Sequence, residues 1–155
     1  MDIYFLRHGD AADKTVGQTD AERPLTDKGH QQARETAEWL AEHEIEFTAI
    51  VSSPLLRAVQ TAEPIAAALD MELSTDRRLS GGQLTVQALA DLLAEWDEPS
   101  CILLVGHEPD FSSLIGELIG GEVEMKKAAL ALVRADSIKA GAGTLAALVP
   151  PRLRS

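Results

Sequence analysis

Short apolar segments alternate with longer amphipathic segments along most of the chain. Apolar runs rich in β-forming residues predict strands at residues 2–6, 49–52 and 101–105. The run at 101–105 is continuous, as expected for a central parallel strand that is covered on both faces. Weaker apolar segments predict a minor strand at 71–73 and two closing strands at 128–133 and 145–149, the last two joined across a Gly-rich turn.

Apolar residues spaced three and four positions apart predict four helices between these strands. The first covers residues 27–43 and has Thr26 as its N-cap. The second begins at Ser53 and Pro54, with the serine as N-cap and the proline in the first helical position. Pro64 lies inside the second pattern and should kink that helix or end it early. The other two helices are predicted at 86–96 and 110–119.

Strands and helices that alternate in this way predict a three-layer α/β domain. The segments 10–24 and 75–83 are polar, show no period and are predicted to be loops, although the sequence does not determine how ordered the first one is. The 155 residues contain no internal repeat or linker, so we expect one domain over 1–155.

Composition and charge exclude several classes of partner and of cellular location. The chain has one cysteine, no signal-peptide pattern and no apolar run long enough to cross a bilayer, which predicts a cytoplasmic protein without a membrane partner. Its net charge of −11 argues against a nucleic-acid partner. Cys101 lies in the strongest apolar run and is expected to pack in the core. Oligomeric state is left open.

Cationic and imidazole side chains follow three of the predicted strands where each strand ends. Arg7 and His8 follow the first strand, and His107 follows the central strand. Arg57 lies in the first turn of the helix after the second strand, and its side chain should lean back toward the helix N-terminus. Since ligands of α/β sheets bind beyond the carboxyl ends of the strands, these four side chains are expected to converge.

This set of side chains indicates phosphoryl chemistry. A guanidinium matches two phosphate oxygens and stays charged at any relevant pH, and helix N-termini add unpaired N–H groups. A neutral imidazole among such cations can attack phosphorus, because the arginines neutralise the oxygens that would repel it. Gly9 and Gly106 lack a Cβ and should let the backbone approach the phosphoryl group. We therefore predict a local positive site that binds and transfers phosphate.

Other polar and aromatic side chains have simpler interpretations. His30 and His43 are predicted to be solvated, and Trp39 and Trp96 to belong to the core. Acidic residues of the 10–24 segment are predicted to form a solvated face, namely Asp10, Asp13, Asp20 and Glu22.

A metal site can be drawn from the same strand ends. Its ligands would be His8, His107, Asp10 and Asp110. Two neighbouring arginines would oppose a cation at that position, so we predict neither a metal nor another cofactor.

Four ordered motifs carry a family resemblance that spans essentially the whole chain. They are LRHGDA at 6–11, RPLTDKG at 23–29, SSPLLRAVQTAE at 52–63 and LLVGHEPD at 103–110. Together they resemble the signatures of the histidine phosphatase superfamily, and most of all its SixA-type phosphohistidine phosphatases. The resemblance implies a phosphoglycerate mutase-like fold, a three-layer α/β/α sandwich with a mainly parallel central sheet.

Roles for individual residues follow from the same resemblance. His8 would be the nucleophile that takes the phosphoryl group. Arg7, Arg57 and His107 would bind the phosphoryl oxygens and stabilise the transition state. Gly9 and Glu108, which adjoin the two histidines, are also predicted to contact the phosphate.

One departure from the family bears on the substrate. Mutases of this superfamily place a general-acid glutamate in a loop near the middle of the chain, whereas the matching loop here, 76–82, has only Asp76. An alkoxide leaving group needs such an acid, but an imidazole can already carry a proton. This favours a phosphohistidine-bearing protein as substrate. The alternatives are a phosphatase of small phosphate monoesters, with Asp10, Asp76 or Glu108 as the acid, and a non-catalytic phosphate-binding module.

Overall fold

A computed structural model describes residues 1–97 and 101–154. Across these residues the chain forms a six-stranded sheet and α-helices in alternation, as the sequence predicts. The strands are β1 (Asp2–Arg7), β2 (Ala49–Ser52), β3 (Leu73–Thr75), β4 (Cys101–Gly106), β5 (Leu130–Ala135) and β6 (Gly143–Val149). The helices are α1 (Asp27–Glu42), α2 (Leu56–Ala68), α3 (Val86–Leu93) and α4 (Asp110–Ile119).

The strand order β3-β2-β4-β1-β5-β6 places the most apolar strand, β4, between β2 and β1. Strands β1 to β4 run parallel, while β5 pairs antiparallel with β1 and β6 pairs antiparallel with β5. The predicted mainly parallel sheet with a central β4 is therefore confirmed. In the register of β1 and β4, Arg7 lies opposite Gly106, so His8 and His107 leave the sheet side by side.

The core lies on both faces of the sheet. Along β4, Ile102 and Leu104 belong to one hydrophobic cluster, and Leu103 and Val105 belong to the other. The first cluster contains the buried faces of α3 and α4, and the second contains those of α1 and α2. Alternate side chains of a strand point to opposite faces. This two-sided burial confirms the predicted three-layer α/β/α sandwich.

Helix α2 differs from its prediction at its start. It begins at Leu56, and no side chain caps it. Ser53, the expected N-cap, instead has its hydroxyl 2.7 Å from the Nε2 atom of His107. The helix also continues through Pro64 to Ala68, so the early end is wrong. Burial of Ile65 and its neighbours against the sheet outweighs the one hydrogen bond that proline removes.

The two predicted loops contain short 3-10 turns. One turn, Asp20–Glu22, lies in the 10–24 segment, whose start is tied to its end by an antiparallel bridge between Ala11 and Leu25. The other, Arg77–Leu79, lies in the 75–83 segment. The Thr26 cap of α1 is confirmed, since its hydroxyl accepts a hydrogen bond from the Gly29 amide at 3.1 Å.

Several predictions about single side chains hold only in part. Trp39 and Trp96 pack at the edges of the two clusters and are half-buried. His43 is exposed as predicted and stacks on Trp39, whereas His30 is half-buried. Cys101 is half-buried at the start of β4 rather than inside the core, and burial raises the pKa of its thiol to about 11. Within the described ranges, no helix is both long and apolar enough to cross a membrane.

Candidate active site

The C-terminal ends of β1, β2 and β4 meet at a pocket of about 200 Å³. Its lining residues are Arg7, His8, Ala11, Arg23, Arg57, His107, Glu108 and Lys127. The structure thus brings together the four side chains for which the sequence predicts catalytic roles, from three separate strand ends. A cluster of cations in so small a space favours an anionic ligand of about the size of a phosphoryl group.

His8 is buried and presents one particular nitrogen for chemistry. Its Nδ1 atom lies 2.7 Å from the carbonyl oxygen of Gly9, which can only accept, so Nδ1 carries the proton. The Nε2 atom therefore holds the free lone pair. Burial, and then the charges of Arg57 and Arg7, lower the pKa of His8 to about 4. At neutral pH the imidazole is uncharged and able to act as a nucleophile.

His107 lies beside His8, with the two ring centroids 5.1 Å apart. Burial is the largest cause that lowers the pKa of His107 to about 3, followed by repulsion from His8 once that ring is protonated at low pH and by the charge of Arg57. Its Nε2 atom is 2.7 Å from the Ser53 hydroxyl. Its Nδ1 atom is buried and has no hydrogen-bond partner among the described residues. This second imidazole is neutral as well, and its unpartnered Nδ1 atom belongs to a side chain that lines the pocket.

The two predicted arginines are held by backbone and carboxylate contacts. Arg57 is 7% exposed and donates from Nη1 to the Asp20 carbonyl oxygen at 2.9 Å and from Nη2 to the Asp20 carboxylate at 3.0 Å. Arg7 donates from Nη1 to the Met125 carbonyl oxygen at 2.9 Å. Its Nε atom is buried and unpartnered within the ranges that the structure describes. Both guanidiniums keep donors available for phosphoryl oxygens.

Asp20 is exposed, as predicted for a solvated face, but its carboxylate also pairs with two arginines of the pocket. The Asp20 carboxylate joins Arg57 to Arg23, with both Nη–O distances 3.0 Å. Hydrogen bonds from Arg23 and Arg57 lower the pKa of this carboxyl. Arg23 also lines the pocket. The one sequence signal for this pair was Arg23 at the start of the RPLTDKG motif.

Asp10 is not simply solvated either. Its two carboxylate oxygens accept from Lys127 Nζ and from the Thr26 hydroxyl, both at 2.8 Å. These hydrogen bonds lower the pKa of Asp10. Lys127 in turn lines the pocket. The sequence does not reveal this role, because Lys127 lies far along the chain in a segment without a motif. The prediction of a solvated position holds for Asp13, Asp20 and Glu22, which are exposed.

The glycines next to the two histidines lie in tightly packed surroundings. Gly9 does not line the pocket, and its amide donates to the Thr61 hydroxyl at 3.1 Å. A Cβ at Gly9 would lie 2.9 Å from the carbonyl oxygen of Gly29, and one at Gly106 would lie 2.7 Å from the Phe111 ring. Both glycines are therefore required for close packing, and the phosphate contact predicted for Gly9 stays a prediction. They admit a neighbouring helix and an aromatic ring.

The remaining predicted carboxylates differ in where they lie. Glu108 lines the pocket, and its two oxygens accept from the amide and the hydroxyl of Ser112. A carboxylate repels phosphoryl oxygens, so this position does not favour the predicted phosphate contact. Asp76 lies outside the pocket lining and pairs with Arg78, whose hydrogen bonds lower the pKa of Asp76.

The conceivable metal site lacks one of its carboxylates. Asp110 accepts hydrogen bonds from the amides of Gly82 and Leu84, at 3.0 and 3.3 Å, and does not line the pocket. Over residues 1–97 and 101–154, no group of three or more His, Cys, Asp or Glu side chains is arranged to hold a metal ion.

A larger groove lies elsewhere, beside α4. It measures about 670 Å³, and its charged lining residues are Glu117, Glu122 and Glu124. An anionic ligand would be repelled there. The small cationic pocket at the strand ends is therefore the site that fits phosphate chemistry.

The two neutral histidines predict a pH-dependent stability. Unfolded, each binds a proton near pH 6.5, but folded His8 and His107 resist protonation down to about pH 4 and about pH 3. Between these values the unfolded state binds more protons, so stability falls as pH falls, by up to about 1.4 kcal/mol per pH unit for each histidine. Urea unfolding between pH 7 and pH 4.5 should show this loss.

His8→Asn should flatten that dependence, because the asparagine amide can replace Nδ1 as donor but does not titrate. His43→Asn is the matched control, since His43 is exposed. Parallel stability curves for His8→Asn and the unmodified protein would contradict the assignment.

Comparison with known sequences shows the family to which this chain is similar. Residues 3–86 match the family model of the histidine phosphatase superfamily (branch 1). The phosphohistidine phosphatase SixA of Escherichia coli (strain K12) is 30% identical over 148 residues, which cover 93% of this chain and 90% of that protein. An uncharacterized protein of Picosynechococcus sp. is 35% identical over 153 residues, covering 93% of this chain and 91% of its own.

Comparison with solved structures gives the same family as the sequence comparison. The structure of the protein histidine phosphatase SixA complexed with tungstate has a TM-score of 0.83 to this chain at 30% identity, and the match covers 98% of each chain. The similarity thus includes every element that contributes to the pocket.

Proposed function

The chain belongs to the histidine phosphatase superfamily, and on that basis we propose that it is a phosphohistidine phosphatase acting on a cytoplasmic protein. The observation that carries this proposal is the composition of the pocket. It holds a neutral, buried His8 among cationic side chains, while the nearby carboxylates are occupied by hydrogen bonds. That combination suits attack on phosphorus with a leaving group that needs no acid.

The first step would form a covalent intermediate at His8. The Nε2 lone pair attacks phosphorus while the Nδ1 proton stays bound to the Gly9 carbonyl oxygen. The phosphorus–nitrogen bond of the substrate breaks, and the departing imidazole takes that electron pair and leaves neutral, with its own proton on the other ring nitrogen. Arg7, Arg57 and Arg23 would neutralise the charge on the phosphoryl oxygens. Water then attacks the phosphoryl group, which releases phosphate and restores neutral His8.

The candidate acids support an imidazole as the leaving group. Asp10 and Asp76 each accept hydrogen bonds from a cation, and these lower their pKa values. Glu108 accepts from Ser112 through both oxygens. A general acid contributes about 10²–10⁴-fold where the leaving group is a poor one. Without one, the site favours phosphohistidine over alkyl esters.

The size of the pocket supports a substrate carried on a protein. A volume of about 200 Å³ admits a phosphoryl group and leaves the rest of the substrate outside. The position of Glu108 in the lining favours the second candidate, a phosphatase of small monoesters in which Glu108 is the acid. Hydrolysis of a phosphohistidine protein and of phosphoserine, measured side by side, tests the proposal. We expect kcat/KM to be at least about 10²-fold higher for phosphohistidine, and equal values would contradict it.

Arg57→Ala should weaken binding of vanadate or inorganic phosphate more than Arg23→Ala. Both arginines line the pocket. The Arg57 side chain is 9% exposed and that of Arg23 is 26% exposed, and a charge-assisted contact is stronger where water is excluded. We expect a loss of about 1.5–3 kcal/mol for Arg57→Ala and a smaller loss for Arg23→Ala.

Isothermal titration calorimetry with vanadate measures both losses. Arg77→Ala is the control, because Arg77 is exposed and does not line the pocket. Losses for Arg57→Ala and Arg23→Ala that are no larger than that of the control would contradict the assigned pocket.

A further inference from the structure

Ser53 joins the end of β2 to the second histidine of the pocket. The residue is fully buried, and its Oγ atom lies 2.7 Å from Nε2 of His107. The same oxygen accepts a hydrogen bond from the Leu55 amide at 3.2 Å. These are the two hydrogen-bond partners of the Ser53 hydroxyl in the part of the chain that the structure describes. The contact therefore decides how His107 is protonated.

The direction of the serine proton follows from its surroundings. The Leu55 amide can only donate, so the hydroxyl proton is not used in that contact. A buried hydroxyl proton needs an acceptor, and Nε2 of His107 is the acceptor within reach. Ser53 thus donates to Nε2. Since a neutral imidazole carries one N–H, the proton of His107 lies on Nδ1.

We propose that Ser53 is a positioning residue that holds His107 in the tautomer with its proton on Nδ1, so that this N–H donates to a phosphoryl oxygen in the pocket. Nδ1 is the buried nitrogen without a partner among the described residues, and His107 lines the pocket. The proposal rests on the proposed function in one respect, that the acceptor is a phosphoryl oxygen.

The two neighbouring imidazoles then have the same tautomer and opposite roles. The carbonyl oxygen of Gly9 holds the Nδ1 proton of His8 and leaves a lone pair on Nε2 for attack. The hydroxyl of Ser53 holds Nε2 of His107 and leaves the Nδ1 proton for the ligand. If the proton of His107 were on Nε2, the ring would present a lone pair to an anionic oxygen and repel it. The anchors on the two rings therefore separate nucleophile from donor.

Nitrogen-15 NMR of the histidine side chains tests the tautomer directly. In the unmodified protein at pH 7 without substrate, we expect a pyrrole-type shift for Nδ1 of His107 and a pyridine-type shift for Nε2. Addition of vanadate should move the Nδ1 resonance, because that N–H gains an acceptor. The reverse assignment, with the proton on Nε2, would overturn the proposal without any variant.

Ser53→Ala tests the consequence for turnover. We expect kcat on an aryl phosphate such as para-nitrophenyl phosphate to fall about ten- to hundredfold, with KM changed less, because the donor acts mainly on charge that develops in the transition state. The His107 spectrum of this variant should show a mixture of tautomers. Ser53→Thr keeps the hydroxyl and should keep the Nδ1 proton.

Ser52→Ala is the matched control. Ser52 is equally buried, but its hydroxyl donates to the Ser53 carbonyl oxygen at 2.8 Å and does not contact His107. Its kcat should stay within about threefold of the unmodified protein. An unchanged tautomer together with unchanged kcat in Ser53→Ala would overturn the proposal. Failure of phosphohistidine as the preferred substrate would overturn the proposed function alone, since the NMR assignment needs no substrate.

Discussion

Replacement of His8 by alanine is expected to lower kcat by about 10⁴-fold or more, because the chemistry loses its nucleophile. Alanine removes the Nε2 lone pair. The other imidazole of the pocket does not replace it as nucleophile, because Nε2 of His107 is hydrogen-bonded to Ser53. The measurement is steady-state turnover with a phosphohistidine protein and with an aryl phosphate. Retention of turnover in this variant would contradict a covalent mechanism at His8.

The same variant should lose the covalent intermediate. Brief reaction of the unmodified protein with a labelled phosphodonor should place one acid-labile phosphoryl group on His8, which mass spectrometry of the quenched protein can locate. His43→Ala is the control, because His43 is an exposed histidine outside the pocket lining. It should keep both the label and the turnover. Label on any other residue would refute the assignment of the nucleophile.

The second large effect concerns the leaving group. We expect kcat/KM to fall from phosphohistidine through aryl phosphates to phosphoserine, over a total range of about 10²–10⁴-fold. An imidazole leaves with its own proton, a phenolate is a moderately good leaving group, and an alkoxide is a poor one without an acid. Comparable values for phosphoserine and phosphohistidine would favour the small-monoester alternative.

Carboxylate variants separate the two functions further. Asp76→Asn and Glu108→Gln should change phosphohistidine cleavage by less than about threefold, because neither carboxylate is required as a proton donor. Asp76 lies outside the pocket lining and pairs with Arg78, which makes its variant the control for a loss of charge alone. The monoester alternative predicts that Glu108→Gln abolishes ester hydrolysis while Asp76→Asn does not.

The order of the secondary structure was predictable because hydrophobic periodicity is a local signal. The run at 101–105 was apolar without interruption, and it forms the centre of the sheet. Element ends were less predictable. Ser53 and Pro54 have the residue types of a helix start, yet α2 begins at Leu56. The Ser53 hydroxyl does not cap the helix, because it is hydrogen-bonded to His107, which lies 54 residues away along the chain.

The residues of the candidate site also differ in whether the sequence alone reveals them. Arg7, His8, Arg57 and His107 were recognisable because each follows a strand end whose position the apolar pattern reveals. Asp20 and Lys127 were not, because both lie in polar segments without a period. Asp20 pairs with two arginines that line the pocket, and Lys127 donates to Asp10 from 117 residues away. No local pattern encodes such pairs.

By itself, the sequence determined the layered fold, the family and the four side chains that meet at the strand ends. Those features depend on the order of residue types along the chain. Tertiary structure alone decided the protonation of both histidines, the packing around the glycines and the pairing of Asp20. It also decided the burial of Arg154, whose guanidinium donates to Val149, Thr36 and Ala128. These depend on burial and on distances between groups far apart in the chain, which are set only when the sheet and its loops are assembled.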